Sequence, residues 1–161
     1  MRAEAYCRKL IMTSMMRLAV FVIFVLGGGF LIGYLNAPGS WYAGLNKPWF
    51  NPPNWIFAPV WTAIYLLVAI SGWRTWERHR QEMAMPLWLA QMALNFLWSP
   101  IFFSEHMPGV ALAIILALVV VILAFIVHQW NLDRISSVIF VLYATWVGFA
   151  SLLNLSIVRL N

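Results

Sequence analysis

Acid is scarce in this chain. Asp and Glu together number five in 161 residues, all charged residues make up 9%, and a single cysteine, Cys7, stands near the start. A water-soluble domain carries roughly 25% charged residues, so this chain has too little charge to coat a surface facing water. The carboxylates Glu4, Glu77, Glu82, Glu105 and Asp133 all fall in a terminus or between apolar runs. That placement leaves no paired acids for hydrolysis and no acid within a span of the kind that couples transport to protons. One cysteine excludes an intramolecular disulfide. His79, His106 and His128 have neither an HxxxH partner nor a thiol beside them, so no metal site is expected, and His128 is read as packing at a membrane interface.

What fills the chain is apolar: 63% of residues are hydrophobic and the mean hydropathy is +0.83. A spanning helix takes roughly 20 residues, and five segments approach that length: Leu18 to Leu35, Pro52 to Trp76, Leu87 to Phe103, Val110 to Trp130 and Ile135 to Ile157. The fold expected is all-α, a polytopic membrane bundle of five transmembrane helices over residues 18–161, preceded by a cytoplasmic N-terminal extension, residues 1–17. The first run is longer than a signal-peptide core and no A-x-A site follows it, so it is read as an uncleaved span.

Ten Lys and Arg give a net charge of +5. They sit beside apolar runs, where cations orient helices rather than bind nucleic acid. Arg2, Arg8, Lys9, Arg17, Arg74, Arg78, Arg80 and Arg134 fall on one side and Lys47 and Arg159 on the other, which places the N-terminus in the cytoplasm if the protein lies in an inner membrane. Short connections make neighbouring helices antiparallel, whereas the long first connection, Asn36 to Asn51, reads as a cap over one end. Asn51 is expected to cap the second helix, with Pro52 and Pro53 in its first turn. Pro59 and Pro100 are expected to kink their helices, and Gly29-x-x-x-Gly33 to allow close helix contact within the bundle.

Aromatic and amide groups supply the chemistry. Trp88, Gln91, Asn95 and Trp98 share one helical face of the third span; Phe57, Trp61 and Tyr65 share one of the second; Tyr143, Trp146, Ala150, Leu153 and Asn154 lie on one side of the fifth. Amides, phenols and indole N–H groups are unwelcome against lipid, so these stripes are expected to face one another and line a cavity suited to a large flat apolar ligand. Of the 10 tryptophans, those near span ends suit the interfacial belts, and Trp61, Trp98 and Trp146 lie deeper. The sequence offers no membrane-embedded acid, metal cluster or activated nucleophile for ordinary catalysis.

The run from Trp41 to Trp55, WYAGLNKPWFNPPNW, followed by Pro59-Val60-Trp61-Thr62-Ala63-Ile64-Tyr65, resembles the first loop and second helix of the TspO/MBR family. Gln91 to Phe103 is similar to its third helix, and Tyr143 to Asn154 to its fifth. The resemblance implies a five-helix bundle, often a homodimer in the lipid bilayer, that binds porphyrins such as protoporphyrin IX and synthetic isoquinoline or benzodiazepine ligands. It implies a receptor or sensor linked to tetrapyrrole or oxidative-stress regulation, with transport of lipophilic molecules as an alternative. No cofactor is called for. Trp49 from the first loop joins the three stripes as an expected ligand contact. Trp61 and Trp146 match two tryptophans implicated in light-dependent porphyrin degradation by bacterial members. The sterol consensus of animal members is incomplete here, because no tyrosine precedes Arg159 in Leu153 to Arg159. The family's usual N-terminus is shorter, which points to Met12, Met15 or Met16 as the start.

Overall fold

A computed structural model describes residues 2–79 and 82–161, without the side chains of residues 2–9 and 79. Arg80, counted above for orientation, therefore lies outside the described residues, as do the side chains of Arg2, Glu4, Cys7, Arg8, Lys9 and His79. Five helices are long and apolar enough to cross a membrane: Leu10–Leu35, Asn54–Arg78, Ala84–Ser104, Pro108–Gln129 and Arg134–Leu160. No strand occurs among the described residues. The chain is thus the expected polytopic helical bundle.

The first span starts earlier than its apolar run suggested, because Leu10, Ile11, Met12, Met15 and Met16 extend it past Arg17. Arg17 is accommodated by a 2.9 Å ion pair with Glu77 at the end of the second span. A π-helical stretch, Ile23–Gly27, interrupts the first span. Beyond it, Gly28 and Gly29 lie so close to Phe96 and Tyr65 that a Cβ would fall 2.8 and 2.1 Å from their rings, while Gly33 faces open space. The close contact expected of the Gly29-x-x-x-Gly33 spacing is therefore made by Gly29, inside the bundle.

Two proline expectations differ from what is found. Asn51 caps nothing: its side-chain amide donates to Pro52 O at 3.1 Å, and a 3₁₀ turn, Asn54–Ile56, leads into the helix Phe57–His79. Pro59 is the third residue of that helix, where a backbone N–H has no helical acceptor to lose, so no kink is required. Pro100 does disturb its helix, as a switch from α-helix to the π stretch Pro100–Ser104.

Packing is tightest among the last four spans. Phe125 and Phe140 stack at 3.9 Å, and the Trp88 indole lies against Gly72 while donating to Val68 O at 3.0 Å. The first span lines the outside of the second and third, with only 6% of its apolar window buried, and so presents most of its surface to lipid.

The two ends of the bundle are closed differently. At the end bearing the first loop, a short helix, Ser40–Gly44, lays Tyr42 against Phe102 and Phe103 and stacks Trp41 on His106 at 4.3 Å. Asn46 and Asn161 clasp each other: Asn46 N–H donates to Asn161 Oδ1 at 3.0 Å and Asn161 Nδ2 to Asn46 O at 3.1 Å. The loop thus forms the expected cap over this end. At the opposite end Arg74 makes a bidentate pair with Asp133 at 2.7 and 2.9 Å, and His128 lies 3.6 Å from Glu82.

Candidate functional site

The second and fifth spans meet along a seam of rings. Phe57, Trp61 and Tyr65 recur every four residues on one face of their helix, and Tyr143, Trp146 and Ala150 occupy the facing side of the fifth. Trp61 meets Trp146 edge to face at 6.4 Å, Phe57 approaches Trp146 at 5.9 Å, and Trp61 lies 5.3 Å from Tyr65. The two indoles are half-buried, yet Trp146 Nε1 is enclosed without a protein acceptor. The fold itself leaves this donor unserved, as it does Trp73 Nε1 further along the second span.

Beneath the seam runs an uncharged hydrogen-bond chain. Tyr65 Oη donates to Asn95 Oδ1 at 2.8 Å, and Asn95 Nδ2 donates to Tyr143 Oη at 2.6 Å. One amide thereby joins the second, third and fifth spans, and two phenols that lipid would reject are satisfied. Gln91, one turn along the same face, is fully buried.

Trp98 belongs to a separate group. Its Nε1 donates to Asn154 Oδ1 at 3.1 Å, Asn154 Nδ2 donates to Pro108 O at 2.8 Å, and its ring stacks on Phe102 at 5.1 Å. The third-span stripe therefore splits, Asn95 meeting the ring seam and Trp98 meeting the cap. Ala150, Leu153 and Asn154 are buried along the fifth span. Trp49 is 95% exposed and, among the described rings, touches Phe50 alone, so it stands at the outer end of the ring chain rather than at the seam.

Several residues escaped the sequence reading. Phe149 and Phe50 extend the ring chain outward from Trp146, at 5.7 and 6.4 Å. The i, i+3 spacing of Trp146 and Phe149 was a visible signal, passed over in favour of tryptophan. Ser71, Thr75 and Gln129 are fully buried polar residues, the last two at the polar ends of their spans. Asp133, correctly placed between helices, is nonetheless buried.

Charge stays at the periphery of this site. Lys47 Nζ is held by Ala43 O and Leu45 O at 3.3 and 3.2 Å, above the Tyr42 ring. Burial raises the Tyr42 hydroxyl above its ordinary value. No cluster of His, Cys, Asp and Glu that could hold a metal occurs among the described residues. The arrangement offers π faces, one enclosed donor and neutral amides, which suits a flat, largely apolar molecule.

Comparison with known proteins extends along the same residues. The model of the TspO/MBR family matches residues 20–160. The chain is 35% identical over 145 residues to the tryptophan-rich sensory protein of Cereibacter sphaeroides, covering 89% of this chain and 92% of that protein. It is 35% identical to the tryptophan-rich protein TspO of Archaeoglobus fulgidus, covering 92% of this chain and 99% of the relative. With the translocator protein of Homo sapiens it shares 30% identity, over 75% of each chain.

Proposed function

The chain belongs to the TspO/MBR family, and on that footing we propose that it is a membrane receptor or sensor for porphyrins such as protoporphyrin IX, held against the Trp61–Trp146 seam. The observation that carries this reading is the enclosed, unpartnered Trp146 Nε1 beside the Trp61 ring. A tetrapyrrole offers a broad π face for the indoles, acceptors for the N–H, and carboxylates that stay solvated towards the first-loop end. Tyr65, Asn95 and Tyr143 give it an uncharged floor. Homodimerisation and a role in tetrapyrrole or oxidative-stress regulation belong to the same proposal and rest on family membership.

Titration of purified protein with protoporphyrin IX, read by quenching of tryptophan fluorescence, tests the site. Trp61→Phe or Trp146→Phe keeps a ring but removes π surface, and is expected to weaken binding by about 1 kcal/mol, roughly fivefold. Trp130→Phe, at the opposite end beneath Arg134, is expected to leave binding unchanged. Equal losses at all three positions would sink the reading. The closeness of the two indoles favours a second activity at the same seam, oxygen-dependent photodegradation of bound porphyrin. It is expected to slow when both become Phe, and unchanged products and rate per bound porphyrin would discard it.

The orientation proposed puts the N-terminus and the loop joining the second and third spans in the cytoplasm. With Cys7 replaced by Ser, cysteines introduced at the exposed Ala37 and Asn131 are expected to label from opposite sides of the membrane, Asn131 from the cytoplasm. Labelling of Asn131 from outside reverses the assignment.

A further inference from the structure

The half of the bundle between the ring seam and the Arg74–Asp133 pair holds polar groups that the fold leaves unserved. Ser71 Oγ, Thr75 Oγ1 and both amide atoms of Gln91 and of Gln129 are buried without a hydrogen-bond partner, and all four residues are 0% exposed. Elsewhere in the chain Thr62, Thr145, Ser151 and Ser156 each donate to the carbonyl four residues back, at 2.8 to 3.0 Å. Asn95 and Asn154 each use both ends of their amides. Trp73 Nε1 and His128 Nε2, in this same half, are also enclosed without a hydrogen-bond partner, so the unserved atoms concentrate here, with Trp146 Nε1 and Asn51 Oδ1 the two that lie towards the first-loop end among the described residues.

The four residues are also close in depth. Ser71 and Thr75 follow Ile64 and Val68 on the buried face of the second span. The bond from Trp88 Nε1 to Val68 O brings that face level with the start of the third span, where Gln91 lies one turn from Asn95. Gln129 O accepts from Asp133 N–H at 2.8 Å, and Asp133 grips Arg74, the neighbour of Thr75. The four residues thus descend from the Tyr65–Asn95–Tyr143 chain to the ion pair. Left unpaired, their six polar atoms would cost about as much as the whole margin by which a folded protein is stable.

We propose that these groups line an internal aqueous site: a file of ordered water molecules, admitted at the short-loop end beside Arg74 and Asp133, that reaches the underside of the ring seam. Amides and hydroxyls offer donors and acceptors in balance and no net charge, which selects water over an ion.

The test uses full-length, ligand-free protein with Cys7→Ser, in membranes, probed with the small neutral thiol reagent methyl methanethiosulfonate. Ser71→Cys and Thr75→Cys are expected to react about tenfold faster than Ala69→Cys, an equally buried apolar position, because the thiolate forms only where water reaches it. Rates no faster than at Ala69 overturn the proposal. Where a cysteine variant fails to fold, the wild-type protein decides: the Gln91 and Gln129 side-chain amides are expected to exchange in deuterated buffer much faster than the Trp88 indole N–H, and equal protection refutes the file. No ligand is present in either measurement, so their failure and that of the porphyrin reading are separately visible.

Discussion

The two ends of this bundle hold the same helices together by opposite means. At the short-loop end two ties are ionic: Arg17 to Glu77 and Arg74 to Asp133. At the first-loop end they are ring contacts and amide hydrogen bonds: the Asn46–Asn161 clasp, the Trp41–His106 stack, Tyr42 against Phe102 and Phe103. A buried bidentate ion pair fixes one geometry and is costly to break. Ring contacts and amide bonds near water are individually weak and easily exchanged for solvent. The difference makes the short-loop end the anchored one and the first-loop end the more readily parted one.

The largest effect is expected where that anchor is cut. Asp133→Asn leaves the Arg74 guanidinium, largely buried, without its counter-charge and is expected to cost about 3 kcal/mol, read as a lowered unfolding midpoint in detergent. Acid should act on the same bond. Burial raises the Asp133 pKa, but the Arg74 and Ser136 hydrogen bonds and the Arg74 charge outweigh it and hold the carboxyl below its ordinary value. Its stabilisation is therefore complete above the ordinary carboxylate pKa and drains away as pH falls through the lowered one. The Asn46–Asn161 clasp has no titrating group in it, so acid should loosen the short-loop end first, as hydrogen exchange end by end would reveal. Next in size is Asn95→Leu, which orphans the Tyr65 and Tyr143 hydroxyls together and is expected to cost about 2 kcal/mol by the same unfolding assay. Smallest is Asn161→Ala, expected to cost under about 1 kcal/mol while speeding proteolysis within the first loop. A loss as large as that of Asp133→Asn would erase the contrast between the ends.

Much of this was legible in the sequence. Apolar runs of spanning length set the number of helices, and the 3, 4, 3 spacing of Trp88, Gln91, Asn95 and Trp98 put all four in the bundle. The opposed stripes of Tyr65 and Tyr143 do meet through Asn95, because two phenols and an amide have nowhere else to go in a membrane. Pairings between distant residues were not legible. Asp133 read as a loop acid, and nothing local reports that Arg74, 59 residues earlier, arrives beside it. Ser71 is a single polar letter in an apolar run, and Thr75 and Gln129 sit beside Arg74 and His128 where a span meets water, so only packing reveals their burial. The Pro59 expectation missed because position within the first turn, rather than presence in a helix, decides whether a missing N–H matters.

The π stretch in the first span carries a record of length. Arg17, Phe21, Val25, Gly29 and Asn36 all make contacts into the bundle, and 19 residues separate the first from the last over five turns. Five turns of α-helix consume about 18, and Ile23–Gly27 absorbs the surplus residue. Shortening the chain by one residue there lets the helix close into regular α geometry with both faces still aligned. The same deletion a turn or two away would swing one half by about 100°, carrying Gly29 off Tyr65 or Arg17 off Glu77. Within this helix the tolerance for insertion and deletion is thus confined to a single turn.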